Sequence, residues 1–514
     1  MYSETLTHTP VELGFGTSGL RALVTDMTDL ECYINARGFL SFVRQVGYLG
    51  ATVYIGGDLR QSTPRIMAAI QKAIVDEGFT SVNCGFIPTP ALALHAQRNN
   101  AVCIMVTGSH IPDDRNGVKF YRHDGEIMKE DEIDIKDAVR SIRSSIYAGS
   151  ADDSLFDSNG AFKNAVTLDE QSNEIGSEYL SRFTNAFLPN GLANKTIVVY
   201  QHSAVGRDLL VQLLEQLGAT TIVEGRSEKF VPIDTENVTP DDSLYFKSLA
   251  EKYPDAFAIV STDGDSDRPF VVDENGLFHR GDELGVIVAE ALHADFCAYP
   301  ISTNDAVDTR LEHKNIPYQH TKIGSTHVIV AMQRARESGH TNVVGWEANG
   351  GFLTESDINI ENRTLERLPT RDAFLPIVVS LLSAASSDKK VSELFADLPQ
   401  RFTQAGLIDN FPTDISKVIM SRYSDENDEL REELTTFFSP KLGFSDIVQV
   451  DSLDGIRIYF SNNDVAHIRP SGNAPQLRIY SVADTQERAD AIVTEAIKDQ
   501  NGIFRAIEKT LEEV

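Results

Sequence analysis

The chain has 514 residues, of which 46 are Lys or Arg and 76 are Asp or Glu, so its formal net charge at pH 7 is −30. Hydrophobic residues make up 41% and charged residues 24% of the chain, which is typical of a globular protein. Most of such an acidic surface would repel a polyanion, so nucleic-acid binding is excluded. At about 100–200 residues per domain, the length predicts about three to five domains.

Neither the first residues nor any apolar stretch indicates a membrane or an export route. The start, MYSETLTHTP, lacks the basic and apolar regions of a secretory signal. The longest apolar stretch, 373–385, contains Pro376 and is shorter than the ~20 residues that a membrane-spanning helix needs. The 4 cysteines form no CxxC pair, which argues against a zinc ribbon or a disulfide scaffold. We expect a cytoplasmic protein that does not contact a membrane.

Apolar strand candidates alternate with amphipathic helix candidates along the first 400 residues or so. ATVYIGGD (51–58) precedes the helix pattern 65–78, TIVVYQHSAVG (196–206) precedes 207–218, and FAIVSTDGD (257–265) and TNVVGWEANGG (341–351) flank a third helix pattern at 284–295. Such βαβ alternation is typical of α/β domains with parallel strands. After about residue 400 the pattern changes to GIRIYF, AHIRP and LRIYSVA, followed by a helix. We therefore expect three tandem α/β domains with mixed sheets (1–160, 161–280 and 281–398) and a smaller C-terminal α+β domain (399–514).

The first polar cluster is VTGSHIPDDRNGVKFY (106–121), in which an apolar strand leads directly into Ser109 and His110. A serine hydroxyl at a strand end, beside a histidine and with Lys119 returning nearby, is compatible with a nucleophile. A loop whose polar residues only cap the backbone explains the same pattern, and the cluster by itself does not separate the two.

The second cluster is STDGDSDR (261–268), which carries Asp263, Asp265 and Asp267. Alternate residues of an extended strand lie about 6.6 Å apart, so one ion can bind all three only if the backbone curls, which Gly264 permits. Close carboxylates raise one another's pKa values, and a divalent cation removes that conflict. A hydrated acidic turn and an aspartyl phosphatase remain alternatives. An EF-hand would need glycine where Arg268 stands.

Two later loops carry hydrogen-bonding and cationic groups. GWEANGGF (345–352) places Glu347 and Asn349 in a glycine-rich loop that could bind sugar hydroxyls or could be an ordinary turn. HIRPSGNAPQLRIY (467–480) is compatible with a phosphate-binding loop, because arginine forks match phosphate oxygens and hydroxyl and amide groups complete the shell, and also with a structural turn that carries surface arginines. The candidate ligands there are Arg469, Ser471, Gly472, Asn473 and Arg478.

Together, these clusters resemble one family, the α-D-phosphohexomutases. The resemblance begins at FGTSGLRA (15–22) and continues through TGSHIP, DGDSDR and GWEANGG to RPSGNAPQLRIY, in family order over nearly the whole chain. It implies four domains in a heart-shaped arrangement around a central cleft. It also implies transfer of a phosphoryl group between a phosphoserine and a hexose monophosphate, through a hexose 1,6-bisphosphate.

The resemblance assigns a role to each candidate residue. Ser109 would carry the phosphoryl group and would bind Mg²⁺ together with the three aspartates, while Arg21, Lys119 and Arg268 would stabilise the phosphate charge. Lys119, and after it His110, would handle the proton. The substrate ligands would be Glu347, Asn349, Lys322 and Ser325, with His327 as a further possibility, and the C-terminal phosphate loop. The expected partner is a phosphosugar bound by a monomer or homodimer, with hexose 1,6-bisphosphate as activator.

The motifs favour the phosphomannomutase/phosphoglucomutase branch, because the MSHNP and EQSGH forms of phosphoglucosamine mutases are absent. Mannose phosphate is the preferred substrate, and glucose phosphate is the alternative. A catalytically silent sugar-phosphate-binding paralogue would lack Ser109 or the aspartates, and both are present. The chain departs from common family patterns at Ile111, Asn349 and Asn473.

Overall fold

A computed structural model describes residues 1–16, 19–236, 238–424, 428–471 and 475–512. By its internal contacts the chain divides into two compact units. The first contains residues 1–297 and 324–395, and the second contains residues 298–323 and 396–514. Among the described residues, every helix is too short or too polar to span a membrane.

The first sheet of unit 1 is built from the N-terminal 130 residues or so and has the strand order β1-β2-β6-β5-β3-β4, with β7 beside β6. Strands β4 and β5 run parallel to β3, and the pairs β5–β6, β2–β6 and β1–β2 are antiparallel. Helices α1 and α2 pack on the buried apolar side chains of this sheet. The elements are β1 (Gly14–Phe15), β2 (Leu20–Leu23), α1 (Asp29–Gln45), β3 (Thr52–Gly57), α2 (Thr63–Asp76), β4 (Thr80–Phe86), α3 (Thr89–Arg98), β5 (Val102–Val106), β6 (Arg115–Arg122), β7 (Gly125–Glu126) and α4 (Asp131–Ala148), after a short 3₁₀ turn at Tyr2–Thr5.

The segment after α4 packs back on this sheet. The side chain of Gln71 donates to the carbonyl of Thr167 at 3.0 Å, and that of Asn83 donates to the carbonyl of Asp169 at 2.7 Å. The amide of Ser172 in turn donates to the carbonyl of Asn83 at 2.8 Å. Residues 167–172 therefore cover part of the first sheet and its helix α2.

The second sheet has the order β12-β11-β10-β8-β9. Strands β8, β9 and β10 are parallel, whereas β10–β11 and β11–β12 are antiparallel hairpins. Its elements are α5 (Ile175–Ala186), β8 (Thr196–Tyr200), α6 (Arg207–Gln216), β9 (Thr220–Glu224), α7 (Pro240–Lys252), β10 (Ala258–Thr262), β11 (Pro269–Val272) and β12 (Phe278–His279). Of the parallel strands, β8 and β10 lie in stretches that the alternating pattern predicted as strands, and the β10–β11 hairpin carries the second polar cluster.

The third region follows with mixed strands, of which β15, β16 and β19 pair antiparallel within unit 1. The apolar stretch at 373–385 forms most of α11, which packs on α8. The elements are α8 (Gly281–Ala291), β13 (Phe296–Pro300), α9 (Ala306–Lys314), β14 (Tyr318–Thr321), α10 (Ser325–Glu337), β15 (Val343–Trp346), β16 (Phe352–Thr354), β17 (Ile358–Ile360), β18 (Arg363–Leu365), β19 (Leu368–Asp372), α11 (Phe374–Ser386) and α12 (Val391–Ala396).

The C-terminal part of unit 2 contains a fully antiparallel sheet of order β20-β24-β23-β22-β21 with its helices on a core of its own. The expected fold class, three α/β domains with mixed sheets and a smaller α+β domain, is therefore confirmed. The elements are β20 (Phe402–Asp409), α13 (Thr413–Arg422), α14 (Asp428–Phe437), β21 (Ile447–Asp451), β22 (Ile456–Phe460), β23 (Val465–Pro470), β24 (Gln476–Ala483), α15 (Gln486–Ile497) and α16 (Ile503–Glu512), with a 3₁₀ turn at Pro440–Leu442.

Candidate active site

Ser109 lies in the hairpin loop between β5 and β6, where it is 1% exposed. Its φ of 54° is in the left-handed region, which is uncommon for a residue with a Cβ and must be supported by the surroundings. Its hydroxyl donates to Oδ2 of Asp263 at 2.6 Å and lies 3.3 Å from Nδ1 of His110. The loop thus places the serine hydroxyl beside the loop of the second sheet that contains Asp263, Asp265 and Asp267.

Two residues at the end of β3 hold this serine loop in shape. Asp58 accepts hydrogen bonds from the hydroxyl of Thr107 at 2.8 Å and from Nε of Arg60 at 3.1 Å. The guanidinium of Arg60 donates to four loop carbonyls, those of Ser109, Ile111, Pro112 and Arg115. Because β3 and β5 are parallel neighbours, their carboxyl ends meet at one sheet edge, and the Asp58–Arg60 pair acts as a template for the loop.

We expect Arg60→Met to destabilise the protein and to reduce turnover. The substitution leaves the carboxylate of Asp58 buried without its cation, which costs about 3–5 kcal/mol, and it releases four carbonyls that fix the serine. Misplacement of a reacting group by about 1 Å lowers the rate by about 100-fold. Thermal unfolding and steady-state kinetics, compared with Arg65→Met on the exposed face of α2, would check this. Unchanged kcat in Arg60→Met would contradict the template role.

The three aspartates come together in the hairpin loop between β10 and β11, with ligand oxygens that all lie within 4.8 Å of one another. The loop closes through the amide of Asp263, which donates to the carbonyl of Arg268 at 3.0 Å, and it turns at Ser266, whose φ is 59°. The curl was expected to depend on the flexibility of Gly264. Instead, glycine is required there by close approach, because a Cβ at that position would lie 2.6 Å from the carbonyl oxygen of Ser109.

The carboxylate oxygens of this triad divide into bonded and unbonded ones. Oδ2 of Asp265 accepts from Thr89 and Lys119, both at 2.6 Å, and Oδ2 of Asp267 accepts from Lys119 at 2.6 Å. Oδ1 of Asp265 and Oδ1 of Asp267 are buried and have no hydrogen-bond partner. Buried acceptors without partners are costly, and oxygen ligands at this spacing suit Mg²⁺, so the residues present fit such an ion. The EF-hand alternative is wrong, since the loop is flanked by paired strands and not by helices. Glu274, which would be the twelfth residue of an EF-hand loop that begins at Asp263, instead bonds to Ser392.

Positive side chains surround the triad and change the ionisation of its neighbours. Burial raises the pKa of Asp263 well above its usual range, and the charges of Asp265 and Asp267 add to this. Burial opposes ionisation of Asp267 as well, but Arg371, Lys119 and Arg268 outweigh it and lower the pKa.

Lys119 and His110, the two candidates for proton transfer, differ in charge. Burial lowers the pKa of Lys119, but Asp265 and Asp267 outweigh burial and raise it, so this side chain is an ammonium. For His110, burial together with the charges of Arg268 and Arg21 lowers the pKa to about 2, so its imidazole is neutral. The arrangement suits Lys119 as a cation and proton donor and leaves His110 as the uncharged group beside the serine hydroxyl.

Three guanidinium groups lie close enough to repel one another near the serine loop. The pKa of Arg21 is lowered to about 10 by burial and by the charges of Arg268 and Arg371. Such a group of cations is unfavourable unless an anion joins it, and a phosphoryl group has the matching charge and geometry. The side chain of Arg371 also contacts Asp267 and Glu347 directly.

The sugar-loop candidates lie in the turn between β15 and β16. Glu347 is buried, and its Oε2 accepts from Nη1 of Arg371 at 2.7 Å. The carboxamide oxygen of Asn349 accepts the amide of Gly351 at 3.0 Å, and its carbonyl accepts the hydroxyl of Thr235 at 2.9 Å. These two hydrogen bonds show that Asn349 helps to fix the conformation of the loop in which it lies.

The remaining candidates divide between the two units. Ser325 begins α10 and donates to Oε2 of Glu126 at 2.8 Å, which links it to β7 of the first sheet. His327 follows on the same helix. Lys322 is exposed and belongs to the other unit.

Arg469, Ser471 and Arg478, three of the C-terminal loop candidates, lie at the end of the β23–β24 hairpin. Arg469 and Arg478 are directly opposite each other across the two strands, and Nε of Arg469 lies 3.2 Å from Oδ1 of Asp454. The amide of Ser471 donates to the carbonyl of Gln476 at 2.9 Å. Gly472 and Asn473 lie outside the described residues. Like charges directly opposite each other destabilise a sheet, so this pair also suits an anion.

Sequence reasoning missed several residues that shape the site. They act through contacts distant in sequence, although D-x-R directly after the apolar strand β3, and the Arg-Asp pair at the end of β19, were available as signals. The residues are Asp58, Arg60, Thr89, Glu126 and Arg371.

Comparison with known proteins agrees with this fold. Four family profiles, all described as phosphoglucomutase/phosphomannomutase domains, match the chain: alpha/beta/alpha domain I at residues 12–145, domain II at 177–276, domain III at 280–402 and the C-terminal domain at 417–498. A phosphomannomutase of Salmonella muenchen is 40% identical over 94% of this chain and 94% of its own length.

Solved structures show the same fold at lower identity. A phosphoglucomutase/phosphomannomutase family protein from Burkholderia thailandensis matches with a TM-score of 0.71 at 18% identity, over 96% of this chain and 97% of that one. N-acetylphosphoglucosamine mutase of Aspergillus fumigatus, solved with GlcNAc-6P and magnesium, matches with a TM-score of 0.55 at 14% identity, over 96% of each chain. The chain belongs to the phosphoglucomutase/phosphomannomutase family, and the expectation of a phosphohexomutase enzyme is confirmed.

Proposed function

We propose that the protein interconverts mannose 6-phosphate and mannose 1-phosphate through a phosphoserine at Ser109 and a mannose 1,6-bisphosphate. One observation carries the proposal: the buried hydroxyl of Ser109 lies 2.6 Å from Asp263, in a pocket of carboxylates and cations. The cations, Arg21, Lys119, Arg268 and Arg371, supply part of the positive charge that a phosphoserine of about −1.5 to −2 requires.

The transfer exchanges one P–O bond for another. The bond between phosphorus and Oγ of Ser109 breaks, a bond to the free hydroxyl of the sugar monophosphate forms, and the proton of that hydroxyl is released. We assign the transfer of the proton from the sugar hydroxyl to the departing serine oxygen to Lys119, which bonds to Asp265 and Asp267 in the same pocket, and after it to His110, whose Nδ1 lies 3.3 Å from Oγ. The bisphosphate then turns over, and the reverse exchange returns its other phosphoryl group to Ser109.

Mg²⁺ is the proposed cofactor, and Ser109 and the three aspartates are the residues that would hold it. The two buried carboxylate oxygens without partners, on Asp265 and Asp267, support this. When bound, the ion supplies positive charge that stabilises the phosphoryl oxygens during transfer. Lys119 and Thr89 already orient the second oxygen of Asp265, which leaves its first oxygen available.

The phosphate that does not react is proposed to bind at the β23–β24 hairpin, to Arg469, Ser471, Gly472, Asn473 and Arg478. The opposed pair Arg469 and Arg478 is the supporting feature. Sugar hydroxyls would bind Glu347 and the amide nitrogen of Asn349, and Lys322 and Ser325 would complete the substrate shell. Hexose 1,6-bisphosphate would activate the enzyme by phosphorylating Ser109.

The deciding experiment is a coupled assay of the purified protein with mannose 1-phosphate and with glucose 1-phosphate. We expect turnover only with Mg²⁺ and catalytic hexose 1,6-bisphosphate, and a higher kcat/KM for mannose 1-phosphate. The 40% identical relative named phosphomannomutase favours mannose over glucose. A preference for glucose would support the phosphoglucomutase alternative. Absence of turnover with both sugars would support a silent binding paralogue, and simple release of inorganic phosphate would support a phosphatase.

Arg469→Ala is expected to raise KM about tenfold or more for both the 1-phosphate and the 6-phosphate sugar, because one charge-assisted grip would serve both orientations. It should also increase release of bisphosphate into solution. Initial-rate kinetics in both directions and bisphosphate quantification would check this. The control is Arg422→Ala at the end of α13. It removes a surface guanidinium that pairs with Glu433, and it should leave KM unchanged. A KM effect on one sugar alone would refute the shared grip.

A further inference from the structure

One buried guanidinium joins two parts of the site that the proposed function treats separately. Nε and Nη2 of Arg371 lie 3.1 and 3.0 Å from Oδ2 of Asp267, and Nη1 lies 2.7 Å from Oε2 of Glu347. The three side chains are only 3%, 1% and 5% exposed. A single planar ion therefore contacts both the carboxylate triad and the sugar loop.

The local sequence makes room for this arrangement. Strand β19 pairs with β16, with Phe352 opposite Asp372, so Arg371 lies beside the end of the sugar loop. A Cβ on Gly351 would lie 2.5 Å from Cδ of Arg371, so any other residue there would displace the side chain. Glycine at 351 thus lets the guanidinium reach Asp267 and Glu347 together.

We propose that Arg371 is a positioning residue that couples cation binding at the triad to sugar binding at the Glu347 loop. The inference rests on the proposed function for what the two sites bind. A guanidinium is rigid and planar, so its hold on one carboxylate affects its hold on the other. When a divalent cation shares the charge of Asp267, the pull on Arg371 from that side falls and Glu347 is held more firmly. Binding at one site should therefore strengthen binding at the other, by the same factor in both directions.

The charge of Arg371 has a second consequence. Nζ of Lys119 lies 2.6 Å from the same Oδ2 of Asp267, so that carboxylate stays held when Arg371 is removed. Replacing Arg371 with a neutral residue removes a positive charge beside the triad, and divalent cations should bind more tightly. A residue that only supported the fold would have the opposite effect, since a looser loop would bind the cation more weakly.

The test uses the full-length, dephosphorylated enzyme, which binds sugar phosphate without turning it over. Mn²⁺ binding is measured by electron paramagnetic resonance with and without mannose 1-phosphate, for the native enzyme, Arg371→Met and Arg371→Lys. The matched control is Arg367→Met. Arg367 directly precedes the same strand, and its guanidinium bonds to Glu355 and not to the triad. Thermal unfolding checks that each variant is folded, and Arg371→Lys decides the coupling if Arg371→Met does not fold.

We expect Arg371→Met to tighten Mn²⁺ binding by about tenfold, because one nearby charge is lost. Arg371→Lys should keep Mn²⁺ affinity within about twofold, since the charge remains. Both should lose the coupling, which we expect to be about fivefold in the native enzyme and in Arg367→Met, because methionine donates no hydrogen bond and the ammonium of lysine lacks the rigid planar fork that holds Asp267 and Glu347 together. Weaker Mn²⁺ binding in Arg371→Met, or full coupling in Arg371→Lys, would overturn the proposal.

A second readout separates this inference from the proposed function. The only tryptophan of the chain, Trp346, directly precedes Glu347 and reports on the sugar loop without any sugar present. Mg²⁺ should change its emission in the native enzyme and in Arg367→Met, and not in either Arg371 variant. Equal responses in all four proteins, or none in the native enzyme, would overturn the coupling. If mannose 1-phosphate does not bind, the proposed substrate is wrong, and the emission result still decides the role of Arg371.

Discussion

Ser109→Ala is expected to lower kcat by at least about 10,000-fold and to abolish incorporation of phosphate, because the residue that would carry the phosphoryl group is lost. The change removes one hydroxyl that bonds to Asp263 and leaves the template made by Asp58 and Arg60 intact. The fold should therefore survive. Peptide mapping after incubation with hexose 1,6-bisphosphate, together with the coupled assay, would measure both effects.

A buried serine elsewhere in unit 1 is the appropriate control. Ser380 lies within α11 and bonds only to the carbonyl of Ile377 in its own helix, so Ser380→Ala should keep both activity and phosphate incorporation. Phosphate found on another residue of the native enzyme, or substantial activity in Ser109→Ala, would show that the nucleophile is a different group. An aspartyl enzyme would give both results, since Asp263 would then carry the phosphate and Ser109 would not be needed.

The parts of the site that could be predicted from the sequence are those with local signals. Ser109 and the three aspartates follow apolar strands directly, and the structure brings the serine hydroxyl to within 2.6 Å of Asp263 although the two residues are 154 positions apart. The parallel strands were predictable for the same reason, because helices separate them at regular intervals. The antiparallel hairpins β5–β6 and β10–β11 were not predicted, and both candidate loops lie in them.

The residues that escaped prediction act through tertiary contacts. Arg60 reaches the carbonyl of Ser109 from 49 positions away, and Arg371 reaches Asp267 from 104 positions away. An arginine after a strand or inside one has no local feature that tells its partner. Arg371 also changes the charge argument, because the charge of the aspartates was expected to be neutralised by a divalent cation, and Arg371 together with the predicted Lys119 balances part of it.

Removal of divalent cations is expected to lower turnover by about 1,000-fold, and added Mg²⁺ should restore it. Lys119 and Arg371 bond to the Oδ2 atoms of the triad, and Oδ1 of Asp265 and Oδ1 of Asp267 remain buried without partners. A phosphoserine beside them adds about −1.5 to −2 of charge, which these cations do not fully balance. Loss of about 4 kcal/mol of charge stabilisation in the transition state corresponds to this rate effect.

Two variants separate a metal requirement from a general need for buried carboxylates. Asp265→Asn should raise the Mg²⁺ concentration for half-maximal rate and lower kcat, because an amide is a weaker ligand than a carboxylate. Asp372→Asn alters an equally buried carboxylate, bonded instead to Arg182 and Tyr179, so it should reduce thermal stability and leave the Mg²⁺ dependence unchanged. Assays in excess chelator with Mg²⁺ titrated back would measure all three proteins. Full activity of the native enzyme in chelator would exclude a divalent cation from the reaction. In that case, Lys119 and the guanidinium groups of Arg21, Arg268 and Arg371 alone would stabilise the negative charge of the phosphoserine.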